Sequence, residues 1–311
     1  MTALTAVGTY LPKERVPIED LADRFGLTAM QTKVFRRYHK LGSVSRDSAG
    51  TLLDLLRGAL DDLDCLEGNE HRVRYVIHAR TFPVVTPYPL NPLRELCRER
   101  GLEHAETFAV GHHACASGLL AIDVAGRLLA ADAERHPDAL ALIMTGEKAF
   151  TGEAQMVPET SFFGEGAAAC LVSASGDRDR LLSYSVDLHG EFDGDSMEQA
   201  MEFQRVYSDA LGEAILAAVA GAGLTMERVS LVLPHNVNIV AWQRVCKRIG
   251  FPLAKVVLDN VTPDGHVFCA DAFLNYRTAG ERGLLRPGER YVVAAAGAGR
   301  GATFSAMVFE H

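Results

Sequence analysis

The sequence has little that would mark a metal, nucleic-acid or membrane protein. Its six cysteines are Cys65, Cys97, Cys115, Cys170, Cys246 and Cys269. No two form a Cys-x-x-Cys pair, so the usual spacing of a structural zinc site is missing. His112 and His113 precede Cys115, but ligands this close in sequence do not converge easily on one ion, and no metal is expected. Positive charge is short, with 31 bases against 40 acids and a net charge of −9. That excludes the net basic face a nucleic-acid binder needs. No run of about 18 uninterrupted apolar residues occurs, so no membrane span is expected. Met1 to Pro12 lacks a basic segment leading into an apolar stretch and reads as a strand and turn, not a signal peptide. The expectation is a cytoplasmic chain with reduced thiols. What is present is an ordinary globular composition, 48% apolar and 23% charged over 311 residues. That length suits one large domain or two fused units.

The chain looks internally duplicated. Arg72-Val-Arg-Tyr-Val-Ile77 resembles Arg228-Val-Ser-Leu-Val-Leu233, 156 positions later. Leu96-Cys-Arg-Glu-Arg-Gly101 resembles Val245-Cys-Lys-Arg-Ile-Gly250, each reading as a helix that closes on a glycine. Gly111-His-His-Ala-Cys115 is similar to Gly265-His-Val-Phe-Cys269, and Leu140 to Met144 parallels Tyr291 to Ala295. The matches keep the same order at nearly the same offset, as a true repeat requires. Each half reads strand, helix, strand, helix, strand, helix, strand, strand. This implies a mixed sheet covered by helices, with a cleft between two pseudo-symmetric halves, 1–176 and 177–311.

Cys115 follows a short strand, Thr107 to Val110, and precedes an Ala/Leu-rich helix, Leu119 to Ala131. The helix dipole and its free amides favour a thiolate there, and a thiolate so placed is a nucleophile for thioesters. The alternative is a packed structural cysteine, since buried thiols serve as small apolar fillers. His235 ends the apolar run Ser230 to Pro234, at the strand end where open α/β sheets place their chemistry. His266 occupies the second-half counterpart of the Cys115 segment. Asp271, five residues on, would either orient the His266 imidazole or cap the following helix.

Together these residues resemble the ketoacyl-acyl-carrier-protein synthase III branch of the thiolase superfamily, nearly end to end. Gly8-Thr-Tyr-Leu-Pro12 resembles its opening strand and turn, and Ala114-Cys115-Ala-Ser-Gly118 its nucleophile motif. Phe163-Gly-Glu-Gly-Ala-Ala168 resembles its Phe-Gly-Asp-Gly-Ala strand, and Pro234-His-Asn-Val-Asn238 its Pro-His-Gln-Ala-Asn motif. Gly297 to Phe304 resembles its C-terminal glycine-rich loop. The resemblance implies an α/β fold, the thiolase-like αβαβα five-layer sandwich, and a homodimer. It implies that Cys115 takes an acyl group from a thioester, with an oxyanion hole from the backbone of Cys115 and of Gly299–Arg300. It makes His235 a catalytic histidine and Asn238 a substrate-binding residue.

Two departures matter. Gly265-His266 stands where the family has Gly-Asn, and the His-x4-Asp spacing to Asp271 resembles the branch's plain acyltransferases. The family's Trp-containing coenzyme A segment is not recognisable between Leu21 and Ser48. The expectation is an acyltransferase of specialised, polyketide-type metabolism. It would move an acyl group from a carrier-protein or coenzyme A phosphopantetheine thioester to a hydroxyl or amine of a small-molecule acceptor, without a tightly bound cofactor. Decarboxylative condensation is the alternative, and a non-catalytic partner subunit is disfavoured by the retained Cys115. Docking an acidic carrier protein would need a basic patch, for which Arg36, Arg37, Lys40, Arg244, Lys247, Arg248 and Lys255 are candidates.

Overall fold

The strands of this protein are Val-, Leu-, Ile- and Ala-rich runs with little alternation, the signature of a sheet covered on both faces. A computed structural model describes residues 2–152, 154–192, 197–298 and 301–311. Its main-sheet strands are Ala3–Tyr10 (β1), Val73–Ala79 (β2), Glu106–Val110 (β3), Leu140–Glu147 (β4), Gly166–Ser173 (β5), Arg180–His189 (β6), Val229–Pro234 (β7), Arg290–Gly297 (β8) and Ala302–Glu310 (β9). The principal helices are Leu52–Asp61 (α1), Pro92–Glu99 (α2), Ser117–Asp132 (α3), Met197–Gly221 (α4), Ile239–Ile249 (α5) and Asp271–Glu281 (α6).

The strand order is β7-β8-β9-β6-β1-β5-β4-β2-β3. It divides at β6–β1, where Ala3 with Arg180 is the only register pair among the described residues. On either side the pairing repeats. In the first half β1 pairs antiparallel with β5, β5 antiparallel with β4, and β4 parallel with β2. In the second half β6 pairs antiparallel with β9, β9 antiparallel with β8, and β8 parallel with β7. One element departs from the expected repeat. The counterpart of β3 is reduced to a bridge between Val232 and Val256. Pro252 and the 3-10 turn Leu253–Lys255 consume the residues that would extend there, because proline cannot donate to a ladder.

Three apolar clusters define the five layers. One lies between α1, α2 and the first sheet half, and includes Leu55, Leu56, Leu96 and Leu142. A second lies between α4, α5 and the other half, and includes Leu211, Trp242 and Phe304. The largest joins α3 and α6 in the middle, with Ile122, Ala125, Leu129, Phe273 and Leu274 against both sheet halves. The segment Ala114–Asp132 is long and apolar enough to cross a bilayer. Here that character serves a central layer, with Ala121 and Ala125 fully buried.

The helix boundaries have local causes. Thr51 and Asp54 form a reciprocal capping box at α1. Asn238 caps α5, which ends at Gly250 in the left-handed region (φ 68°). The opening motif also has a packing reason. A Cβ on Gly8 would lie 2.5 Å from the Ala59 carbonyl oxygen of α1. Gly8→Ala should therefore cost about 1–3 kcal/mol by overpacking. A urea midpoint equal to wild type would show that α1 does not press on β1 at this point.

Candidate active site

The parallel strands point their C-terminal ends at one region, and the loops leaving β3, β7 and the Gly265 turn meet there. Cys115 sits in the 3-10 turn Ala114–Ala116 that leads into α3. Ala114 holds φ 45°, a left-handed conformation unusual for a residue with a Cβ. Such strain persists only where the surroundings over-determine it. Here β8 supplies that constraint, since a Cβ on Gly297 would lie 2.0 Å from the His113 carbonyl oxygen. Phe268, 154 positions beyond Ala114, holds φ 50° and likewise precedes a cysteine, Cys269. The two halves therefore make the same corner, each ending in a thiol.

The second half brings its histidines to the first half's corner. His266 Nε2 lies 3.2 Å from Cys115 Sγ, and His266 Nδ1 lies 2.5 Å from Asp271 Oδ2. Asp271 also accepts the Val267 amide at 2.7 Å and the Asn236 amide at 2.5 Å. Of the two alternatives read for this residue, the geometry matches the orienting one. Asp271 is the first residue of α6 but not its cap, which is Ala270 without a side-chain bond, and its carboxylate is spent on the imidazole and two loop amides. Burial pushes the His266 imidazolium down, but the charges of Asp271 and Cys115 outweigh it and hold the pKa up at about 10. His235 is the neutral member. Burial, reinforced by the charge on His266, lowers its pKa to about 3. Its ring meets that of His266 edge-on at 5.7 Å, and its backbone carbonyl accepts the Trp242 indole N–H at 2.8 Å. Phe163 stacks on His266 at 4.8 Å and on Phe268 at 4.4 Å, walling the chain of polar atoms from water.

Cys115, His235 and His266 line a cavity of about 240 Å³, with exposed Arg244 and half-buried His39 also on its wall. A nucleophilic sulfur, a histidine in contact with it and a carboxylate behind the histidine can together form and resolve a covalent acyl intermediate.

A family model described as "3-Oxoacyl-[acyl-carrier-protein (ACP)] synthase III C terminal" matches residues 219–311. The beta-ketoacyl-[acyl-carrier-protein] synthase III of Rhodobacter capsulatus is 29% identical over 228 residues, covering 65% of this chain and 67% of that protein. The solved 3-oxoacyl-[acyl-carrier-protein] synthase III of Aquifex aeolicus superposes over the full length of both chains with TM-score 0.82 at 18% identity. The chain thus shares the fold of this synthase III. ChlB3, described as an acyltransferase, has TM-score 0.83 at 17% identity over 99% of this chain and 97% of its own. The fold therefore accommodates proteins described both as synthases and as an acyltransferase.

Several residues of this site were not singled out from sequence. Thr81 Oγ1 lies 3.5 Å from both Cys115 Sγ and Cys269 Sγ. Glu147, pushed up to about 7 by burial, accepts the Thr81 and Phe82 amides at 2.7 and 2.9 Å. Asn275 of α6 ties down the end of β7 through the Pro234 carbonyl at 2.7 Å and Asn236 Oδ1 at 2.8 Å. The Tyr207 hydroxyl lies 2.8 Å from His235 Nε2. None belongs to a local motif; Cys269 alone carried a signal, its repeat position opposite Cys115. Asn238 lines the cavity, yet its amide oxygen caps α5 and its amide nitrogen donates to the Thr160 carbonyl at 3.0 Å. Gly299 and Arg300, expected in the oxyanion hole, lie outside the described residues. Among the basic candidates, Arg36 pairs with Glu19, and Arg248 with Asp209 and Glu213.

The raised His266 pKa has a stability consequence. The folded state holds this proton more tightly than the unfolded chain, so the contribution is complete below about pH 6.5 and is lost as pH rises through about 10. Urea melts of wild type from pH 7 to 10 should show a decline that His266→Gln lacks. An equal decline in both proteins would assign the loss to other groups.

Proposed function

We propose that this chain is an acyltransferase working through an acyl-Cys115 intermediate, with His266 and Asp271 as its base and orienting carboxylate. One observation carries the reading: the continuous chain from Cys115 Sγ through the His266 ring to Asp271 Oδ2, at 3.2 and 2.5 Å. The Cys115 thiolate attacks the carbonyl of a donor thioester. The C–S bond to the pantetheine arm breaks, and that thiolate leaves as a thiol with the proton of the His266 imidazolium. Neutral His266 then takes the proton of an acceptor hydroxyl or amine. The acceptor's oxygen or nitrogen attacks the acyl carbonyl and Cys115 leaves as thiolate, which restores the starting ion pair. The Cys115 amide and the backbone of Gly299–Arg300 are proposed to hold the oxyanion.

The donor is a carrier-protein or coenzyme A thioester, and the acceptor a small molecule of polyketide-type metabolism. Arg244 beside the cavity, with Lys247 on the next turn of α5, is the proposed carrier-protein contact. The halves 1–176 and 177–311 supply the nucleophile and the histidines respectively. A cytoplasmic homodimer is proposed, with edge strand β3, hydrogen-bonded on one side only to β2, and the exposed apolar Val84, Tyr88 and Leu90 at its interface. Decarboxylative condensation is the second reading, favoured by the presence of two histidines, His235 and His266, beside Cys115 on the wall of one cavity.

Incubation with butyryl-coenzyme A and butyryl carrier protein should add one butyryl mass to wild type and none to Cys115→Ala. An adduct that survives in Cys115→Ala overturns the intermediate. Asp271→Asn should slow transfer to an amine acceptor on the order of 10³-fold or more, and an unchanged rate would leave Asp271 a purely structural residue.

A further inference from the structure

We infer that Tyr207 is a positioning residue for reaction specificity. By binding His235 Nε2 it withdraws that histidine from carbanion chemistry and leaves acyl-Cys115 to hydroxyl or amine acceptors. The inference rests on the acyl-Cys115 reading above and concerns what happens to that intermediate.

Tyr207 lies within α4, far in sequence from the other site residues, and is buried beside Phe203 and Phe304. Its hydroxyl and His235 Nε2 are 2.8 Å apart, in a place closed to bulk solvent. The His235 backbone cannot slide to release the bond, because its amide donates to the Ala294 carbonyl at 3.0 Å and its carbonyl accepts from Trp242. His235 Nδ1 has no hydrogen-bond partner among the described residues. The tyrosine therefore holds the one ring nitrogen that is engaged.

A neutral imidazole has a single N–H and a single lone pair. Burial keeps His235 neutral and keeps the Tyr207 phenol protonated, its pKa raised well above the usual value. If the phenol donates, Nε2 carries the lone pair and has no hydrogen to give. If Nε2 donates, its hydrogen is already spent on the phenol oxygen. In both arrangements Nε2 is closed to a substrate oxygen, while His266 Nε2 is turned on Cys115.

Decarboxylative condensation needs those donors. The C–C bond of a malonyl thioester breaks, carbon dioxide leaves, and the electron pair moves into the thioester as an enolate. The enolate oxygen carries charge that N–H groups must stabilise before its carbon attacks acyl-Cys115 and the thiolate departs. Transfer to a hydroxyl or amine generates no enolate. It needs a base at His266 and nothing from His235 Nε2.

Tyr207→Phe keeps the ring and removes the hydroxyl. The measurement compares carbon dioxide release from malonyl-coenzyme A with transfer of butyryl from butyryl-coenzyme A to hydroxylamine, on one preparation. The ratio of release to transfer should rise about 10-fold or more in Tyr207→Phe, and should return to the wild-type value when His235→Ala is added. An unchanged ratio with acyl-Cys115 still formed overturns the role of Tyr207 and leaves the acyltransferase reading intact. Wild type that forms no acyl-Cys115 overturns both. Whatever the folding of the variant, wild type that releases carbon dioxide as fast as it transfers butyryl also overturns the inference.

Discussion

The carboxylate of Asp271 is buried at the point where three pieces of chain must agree. It accepts the His266 ring N–H, the Val267 amide and the Asn236 amide, and so joins the Gly265 loop, the exit of β7 and the start of α6. An ionised carboxylate removed from water is costly unless it is paired and hydrogen-bonded. The three donors meet that requirement only when both loops are in place. The same bonds aim His266 at Cys115, so the cost of burying the charge and the orientation of the imidazole are one constraint.

Duplication explains why the site forms at all. Each half carries a left-handed residue before a cysteine at the head of a central helix, Ala114–Cys115 and Phe268–Cys269. Central helices α3 and α6 lie in one layer, so the two corners face each other across the core. Symmetry was then broken. Cys115 lines the cavity and faces His266, whereas Cys269 is turned inward, its Sγ 3.2 Å from the Ala114 carbonyl. Burial also drives the Cys269 thiol well above its ordinary pKa. One corner keeps a sulfur on the cavity wall, and the loop leading into the other brings His266 to it. The lost third strand of the second half is a further divergence, confined to the sheet edge where a ladder can be shortened at little cost.

The residues that sequence reasoning reached are those with a local signature. Cys115 was legible from its strand–small residue–helix setting, His235 from its place after an apolar strand, and His266 and Asp271 from their spacing and repeat position. The end of helix α5 was legible from Gly250, and the structure closes the helix there. Tyr207, Thr81, Glu147 and Asn275 had no such signature. Tyr207 lies in an amphipathic helix where an aromatic residue reads as core, and Glu147 ends a strand that is mostly apolar.

The order and type of the elements, the duplication and the candidate nucleophile were therefore determined by the chain itself, because hydrophobic periodicity, caps and repeat offsets are local properties. The tertiary structure alone decided that Cys115 faces His266, that Asp271 serves two loops at once, and that the Tyr207 hydroxyl meets His235 Nε2. Those outcomes depend on distances of about 3 Å between segments up to 151 positions apart. Such distances follow from how two helices and two sheet halves pack, and packing is a property of the whole chain.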